Sequence, residues 1–218
     1  MYAAVNGTRI YYEIIGKGRP LLMVHGNGED HKIFDVAAGK LRERYKVYLV
    51  DLRGHGKSDP VSEYHYGDMA EDLNAFMRML NMTDVIYYGY SDGGIVGLLL
   101  AMKTDRITRL IISGANLKFK GLDRRCRFMI ASRYLFTRDP KLKMMMKEPD
   151  IDAIDLSQIK AKTTVIAGER DLVLYEESKR IADAIPLATL RIIKGEGHGS
   201  YIVHSEKIAD ILIDELYG

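Results

Sequence analysis

The stretch GYSDGG, Gly89 to Gly94, places one serine between glycines, directly after the apolar run VIYYGY and before the helix-like run GIVGLLLAM. A strand that turns sharply into a helix forces the residue at the turn into strained backbone angles. Side chains on Gly89 and Gly93 would collide at such a turn, and glycine removes them. The stretch therefore predicts a strand-to-helix turn that exposes the hydroxyl of Ser91.

Outward from this turn, strand-like and helix-like segments alternate along most of the chain. Continuous apolar runs of this kind are typical of strands that are covered on both faces of a parallel sheet. The strand-like runs are PLLMVHG, KVYLVD, VIYYGY, ITRLIISGA, TTVIAGE and ATLRIIKG. An Asn6-Gly7 dipeptide predicts an additional hairpin at the start of the chain. The alternation predicts an α/β fold with a mostly parallel sheet flanked by helices.

One region interrupts the alternation. Residues 117–162 contain no buried-strand signal, and the segments RRCRFMIASRYLF and KLKMMMK favour helices. We interpret this region as a short helical cap inserted into the domain formed by residues 1–116 and 163–218. The length of 218 residues fits a single domain with a sizeable core.

A serine hydroxyl needs a general base, usually a histidine that a carboxylate orients. The loop GEGHGS, which contains His198, follows the strand ATLRIIKG, so His198 is expected at the same sheet edge as Ser91. The strand VIAGERD ends at that edge with Glu169 and Asp171. Asp171 lies further into the loop and is the preferred carboxylate, with Glu169 as the alternative.

The segment HGNGE follows the first buried strand at the same edge. Its glycines leave backbone amides accessible, and the helix that begins near Asp92 directs free N–H groups towards Ser91. The backbone amides of Asn27 and Asp92 are therefore predicted to form an oxyanion hole.

These segments together resemble the α/β-hydrolase family over nearly the whole chain. The matching motifs are HGNG at 25–28, DLRGHGKSD at 51–59, GYSDGG at 89–94, GERD at 168–171 and GHGS at 197–200. The resemblance is greatest to small esterases, lipases and C–C bond hydrolases with a Ser-Asp-Gly-Gly turn. It implies Ser91 as nucleophile, His198 as base and Asp171 as acid. The family often carries a larger helical cap, so a reduced lid and a more open acyl site are expected.

The resulting hypothesis is a cofactor-independent serine hydrolase that cleaves a small carboxylic ester or related acyl compound through an acyl-enzyme. C–C bond or amide hydrolysis on the same triad is one alternative. A low-turnover ligand-binding receptor is another. The expected partner is a small-molecule acyl substrate.

The composition of the chain argues against several other classes of protein. A formal net charge of +2 argues against nucleic-acid binding, and the cluster at Arg124, Arg125 and Arg127 is interpreted as a solvated helix face. The single Cys126 cannot form an internal disulfide. We expect no signal peptide and no membrane span, since the apolar run 95–102 is much shorter than the roughly 20 residues required. A cytoplasmic location is expected.

Several motifs resemble phosphate, dinucleotide or metal sites but lack residues that those sites require. RGHGKS lacks the first glycine of a phosphate-binding loop, because Asp51 stands at that position. No Gly-x-Gly-x-x-Gly follows the first buried strand, so no dinucleotide site is expected. His31, His65 and His204 have no liganding partners at metal-site spacing and are assigned to surface or helix positions, so no metal is expected.

Overall fold

The computed structural model describes residues 1–217. Its single sheet has eight strands. They are β1 (Tyr2–Val5), β2 (Thr8–Ile15), β3 (Arg19–Val24), β4 (Tyr45–Val50), β5 (Val85–Tyr90), β6 (Ile107–Ser113), β7 (Lys162–Arg170) and β8 (Ala188–Gly197).

Within the described residues, seven α-helices connect or follow these strands. They are α1 (Asp35–Leu41), α2 (Tyr66–Met79), α3 (Asp92–Ala101), α4 (Arg124–Thr137), α5 (Pro140–Lys147), α6 (Tyr175–Ala184) and α7 (Lys207–Tyr217). Short 3-10 helices cover His31–Phe34, Phe119–Gly121 and Ala153–Gln158.

The strand order in the sheet is β1-β2-β4-β3-β5-β6-β7-β8. β1 and β2 pair antiparallel through the predicted hairpin at Asn6-Gly7, and β2 pairs antiparallel with β4. All other neighbours are parallel. The prediction of a mostly parallel sheet flanked by helices is confirmed.

Helices cover both faces of the sheet, which explains why its central strands are apolar throughout. Every residue of β5 is buried. Residues of β3 alternate between the faces: Leu22 and Val24 pack in a cluster with α2, α3 and α6. Leu21 and Met23 pack on the other face in a cluster with α1 and α7. The parallel pairing of β3, β5, β6, β7 and β8 places the carboxyl ends of these strands along one edge.

The helices α4 and α5 lie where the sequence predicts them, within the region 117–162. They pack on the loop after β7 through a small apolar cluster that includes Cys126, Ile130, Leu142 and Val173. The boundaries of this region as a separate cap remain a prediction. Among residues 1–217, no helix combines the length and the apolar character needed to cross a bilayer.

Candidate active site

Ser91 occupies the turn between β5 and α3, with φ 53° and ψ −116°. This backbone conformation is one that L-residues with side chains rarely adopt. A Cβ added at Gly89 would lie 2.2 Å from the carbonyl oxygen of Gly93, and one at Gly93 would lie 2.2 Å from that of Val24. The glycines are therefore required because the turn packs against its own helix and against the end of β3. This is the strained turn that the sequence predicts.

The structure brings Ser91 and His198 together from positions 107 residues apart. The Nε2 atom of His198 lies 3.1 Å from Ser91 Oγ, and its Nδ1 atom lies 2.6 Å from Asp171 Oδ1. The three side chains form one continuous line of hydrogen-bond contacts. The ring of Tyr90 packs beside the imidazole at a centroid distance of 5.1 Å.

The carboxylate of Asp171 is held by backbone groups as well as by His198. Oδ1 accepts from the N–H of Val173 and Oδ2 from the N–H of Gly168, both at 3.0 Å. Burial by itself raises the pKa of Asp171, but His198 and the two N–H donors more than offset it, and the pKa is lowered overall. Glu169 instead accepts from the N–H of Gly195 at 2.8 Å. Of the two predicted carboxylates, Asp171 is the one that contacts the imidazole.

The segment after β3 runs beside the serine turn. The side-chain amide of Asn27 donates to Asp92 Oδ2 at 2.8 Å, which ties this segment to the first residue of α3. Within residues 1–217, the backbone N–H groups of Asn27 and Asp92 have no hydrogen-bond acceptor. Both N–H groups are thus free of protein acceptors, and Asn27 lines the same cleft as Ser91. An oxyanion hole requires backbone donors that are free in this way.

His25 fixes the path of this segment. Its Nε2 accepts from the N–H of Leu52 at 3.1 Å, and its Nδ1 lies 2.8 Å from the carbonyl oxygen of Gly26. Burial and, next in importance, the neighbouring His55 lower the pKa of His25 to about 4. A neutral imidazole that donates at Nδ1 and accepts at Nε2 satisfies both contacts. His25 therefore has a positioning function here, and its ring does not contact Ser91.

Asp92 is a buried carboxylate behind the serine turn. Burial raises its pKa to about 6, although the amide of Asn27 and the hydroxyl of Tyr66 favour the ionised form. Only 2% of the residue is exposed. This side chain is distinct from the backbone N–H of the same residue, which faces no protein acceptor in the part of the chain that is described.

Glu29 is a charged side chain near Ser91 to which the sequence analysis assigns no role. Its carboxylate accepts from the N–H of Gly26 at 3.0 Å and lines the same cleft as Ser91 and His198. Burial raises the pKa of Glu29, and nearby Asp92 raises it further. Glu29 stands two residues after Asn27 in the quoted HGNGE motif, so its position was visible in the sequence. Its direction into the cleft was not.

The cleft in front of Ser91 has a volume of about 250 Å³. One side consists of Asn27, Glu29 and Tyr90, and Leu172 contributes from the loop after β7. The opposite wall is formed by residues of α4 and α5: Cys126, Met129, Ile130, Arg133, Leu142 and Met145. The cleft is therefore mostly apolar, with an acidic group at Glu29 and a basic group at Arg133.

One cluster of potential metal ligands occurs among residues 1–217. The ligand atoms of Asp30, His31 and Asp51 lie within 4.8 Å of one another. Asp51 Oδ1 already accepts from the backbone N–H of His31 and contacts its Nδ1, while Oδ2 accepts from the N–H of Lys57. The cluster therefore fastens the loop after β3 to the end of β4. His31 begins a 3-10 helix, as expected, but it is buried and has a carboxylate partner that sequence spacing did not reveal.

The remaining histidines lie away from Ser91. His55 packs on His25 and Tyr64, and His65 contacts Glu148 at 2.6 Å. Glu196 bonds to Ser200 and Lys207 rather than to the imidazole of His198.

Comparison with known proteins identifies the family. The family model described as alpha/beta hydrolase fold matches residues 19–138, which is more than half of the chain. The chain belongs to the alpha/beta hydrolase fold family.

Individual relatives extend this likeness over the full length. The chain is 24% identical to the AB hydrolase superfamily protein YisY of Bacillus subtilis, with 93% of each chain covered. It is 25% identical to a putative esterase/lipase of Haemophilus influenzae, covering 86% of this chain and 78% of that protein. Among solved structures, the esterase EaEST of Exiguobacterium antarcticum superimposes with a TM-score of 0.87 at 22% identity, covering 100% of this chain and 99% of the other.

Proposed function

We propose that this chain is a serine hydrolase that cleaves a small carboxylic ester or related acyl compound through an acyl-enzyme intermediate. The observation that carries the proposal is the unbroken contact line from Asp171 Oδ1 through His198 to Ser91 Oγ, at 2.6 and 3.1 Å. A hydroxyl, an imidazole and a carboxylate in this order are the groups that acyl transfer needs.

In the first half-reaction, Ser91 Oγ attacks the carbonyl carbon and its proton moves to His198 Nε2. The imidazolium donates from Nδ1 to Asp171, whose lowered pKa keeps it ionised and able to stabilise that charge. The oxygen of the tetrahedral intermediate accepts from the backbone N–H groups of Asn27 and Asp92. The leaving alcohol then takes the proton from Nε2, and the acyl group stays on Ser91.

In the second half-reaction, water attacks the acyl carbon and gives a proton to the same Nε2. Collapse of the second tetrahedral intermediate breaks the acyl–Oγ bond and returns the proton to Ser91. The products are a carboxylic acid and the free enzyme. No cofactor or metal is used in these steps.

An ester substrate is favoured by the similarity to the putative esterase/lipase of Haemophilus influenzae, which covers 86% of this chain and 78% of that protein. A small, mostly apolar cleft of about 250 Å³ suits a short acyl group. C–C bond and amide hydrolysis use the same side chains, so a panel that includes these substrates decides between them.

The test compares Ser91→Ala with the unaltered protein on p-nitrophenyl acetate and p-nitrophenyl butyrate. The variant should lose about 10³-fold or more in kcat/KM, because it keeps only the oxyanion donors and the binding cleft. Ser157→Ala is a matched control, since Ser157 is exposed and its hydroxyl bonds only to the carbonyl of Ile154. Equal turnover by the two variants would rule out the mechanism.

A further inference from the structure

The helices α4 and α5, residues 124–147, form a unit that we call the α4–α5 hairpin. It contains a single acidic residue, Asp139, and eight basic residues. The eight are Arg124, Arg125, Arg127, Arg133, Arg138, Lys141, Lys143 and Lys147. The hairpin therefore carries a net charge of +7 in a chain whose total is +2, so the rest of the chain is net negative by five charges.

These basic side chains differ from the other lysines and arginines of the chain in that their charges are not paired with carboxylates. Within residues 1–217, none of the eight lies within ion-pair distance of a carboxylate. Twelve of the other twenty-four lysines and arginines do form such pairs. The fold thus collects uncompensated positive charge on one surface. An anionic partner would supply the missing counter-charge.

The same hairpin exposes large apolar side chains. On α4, Cys126 and Ile130 face the body of the protein and are buried. Phe128, Met129, Leu135 and Phe136 are exposed by 75%, 57%, 63% and 89%. Their spacing of one, seven and eight residues places them on one face of the helix, opposite the buried stripe. Arg125 and Ser132 fall between them on the same face. The helix therefore exposes large apolar side chains and arginine side by side, and such an exposed patch marks an interaction surface.

We propose that the α4–α5 hairpin docks on the surface of an anionic phospholipid membrane. Phe128, Leu135 and Phe136 enter the boundary between headgroups and acyl chains, and the surrounding basic side chains bind lipid phosphates. Exposed aromatic and aliphatic side chains next to arginine and lysine suit a membrane interface, where acyl chains and anionic headgroups lie side by side. Each basic residue near an anionic bilayer adds to the attraction.

Two other occupants fit this surface less well. A second copy of the chain that paired through the same hairpin would bring two faces of net charge +7 together, which repel each other. An acidic protein would satisfy the charge, but Phe136 and Phe128 stand out from a single convex helix and need a groove on that partner. A fluid lipid surface receives protruding side chains without such a groove.

Docking through the α4–α5 hairpin would place the cleft near the membrane. Met129 and Arg133 belong to the same helix and line the cleft that contains Ser91. The mouth of the cleft would then lie close to the lipid surface. The docking surface does not depend on the proposed chemistry, since Phe128, Phe136, Arg124 and Arg125 do not line the cleft.

The experiment is co-sedimentation with vesicles of phosphatidylcholine alone, and with vesicles of equal parts phosphatidylcholine and phosphatidylglycerol. The full chain should bind only the anionic vesicles, and added salt should release it. Arg124→Gln/Arg125→Gln should lower the partition coefficient about 25-fold, because each basic residue near an anionic bilayer contributes about fivefold. Phe128→Ser/Phe136→Ser should lower it about tenfold or more.

Matched controls come from exposed residues elsewhere. Ile154→Ser removes an apolar side chain that is 77% exposed, and Lys160→Gln removes an exposed cation; both should bind like the unaltered protein. Thermal melts of all variants check that they fold, and p-nitrophenyl butyrate turnover checks the cleft separately.

Three results would overturn the proposal. The first is equal binding to neutral and anionic vesicles, or none to either. The second is vesicle binding that survives Phe128→Ser/Phe136→Ser while poly-glutamate competes for the same surface, which would assign it to an acidic protein. The third is a dimer in sedimentation that Phe136→Ser dissociates, which would assign it to self-association. Loss of ester turnover in Ser91→Ala has no bearing on any of these.

Discussion

At the scale of single residues, Glu29 brings a carboxylate into the cleft that holds Ser91 Oγ. The group is half-buried, accepts from the N–H of Gly26 and shares the cleft with the apolar wall of α4. At an effective dielectric constant of about 20, two like charges about 8 Å apart repel by about 2 kcal/mol, and solvent at the cleft mouth weakens this to about 1 kcal/mol. Glu29 should therefore disfavour substrates with an anionic acyl group.

Glu29→Gln keeps an acceptor for Gly26 and removes the charge. We expect the ratio of kcat/KM for p-nitrophenyl hemisuccinate to that for p-nitrophenyl butyrate to rise about fivefold, the equivalent of about 1 kcal/mol. Glu43→Gln, at an exposed position outside the cleft, should leave the ratio unchanged. If the two variants gave the same ratio, Glu29 would have no part in selecting substrates.

The raised pKa of Asp92 predicts that the free energy of unfolding decreases as the pH rises. Burial raises its pKa from 3.8 to about 6, so between these values the native state binds a proton that the unfolded state has released. Stability therefore falls as pH rises through this window, by about 3 kcal/mol at about 1.4 kcal/mol per unit. Above the window the buried ionised carboxylate is a net cost to folding.

Asp92→Asn removes this titration. The difference in the free energy of unfolding between the variant and the unaltered protein should shift by about 3 kcal/mol in favour of the variant from about pH 3.5 to about pH 7. Urea unfolding at the two pH values measures it, and Asp105→Asn at an exposed position is the control. A constant difference at both pH values would mean that Asp92 does not titrate in this range.

At the scale of elements, the junction of β5 and α3 tolerates no side chain where its glycines lie. A Cβ at Gly93 would meet the carbonyl oxygens of Val24 and His25 at 2.2 and 2.7 Å, and both are backbone atoms that cannot rotate away. Gly39 within α1 is the opposite case, with nothing within 4 Å of an added Cβ. The same substitution should therefore have opposite effects at these two places.

Gly93→Ala should destabilise the fold by about 3 kcal/mol or more, because β3 and α3 must separate to admit the methyl group. Gly39→Ala should stabilise it by about 0.5–1 kcal/mol, since alanine loses less backbone entropy than glycine in a helix. Denaturant midpoints at fixed pH report both. A Gly93→Ala protein as stable as Gly39→Ala would contradict the packing described for the turn.

Elements whose signals are local could be predicted from the sequence. The strand β5 and the helix α3 follow from continuous apolar runs, and the structure buries nearly all of their residues. The hairpin of β1 and β2 follows from Asn6-Gly7. The walls of the cleft could not be predicted in this way. Met129, Arg133 and Met145 reach it because α4 and α5 pack on the loop after β7, and that tertiary contact leaves no periodic signal in the sequence.

At the scale of the whole molecule, parallel strands carry distant segments to one edge. This rule alone placed His198 and Asp171 near Ser91 across 107 and 80 residues of sequence. The choice between Asp171 and Glu169 was a prediction from loop position, and the contact at 2.6 Å favours Asp171. The rule did not reveal the pairing of His31 with Asp51, which depends on how two loops fold over one another.

The charge of the whole molecule is distributed unevenly between the α4–α5 hairpin and the rest of the chain. A chain of net charge +2 separates into the α4–α5 hairpin of +7 and a negatively charged remainder. The sequence interpretation of Arg124, Arg125 and Arg127 as a solvated face considered only neighbours in the chain. The absence of ion pairs at those residues, among the residues described, and the apolar face beside them became visible only in three dimensions.

The measurement that most directly tests the central claim is covalent labelling of the folded chain with a fluorophosphonate, read by intact mass and peptide mapping. We predict one adduct per chain, located on Ser91, with a rate about 100-fold lower or less in His198→Ala because the hydroxyl loses its base. Protein unfolded in urea should not react. Folded protein that stays unlabelled, or that reacts equally fast without the imidazole, would contradict the account and favour a ligand-binding receptor.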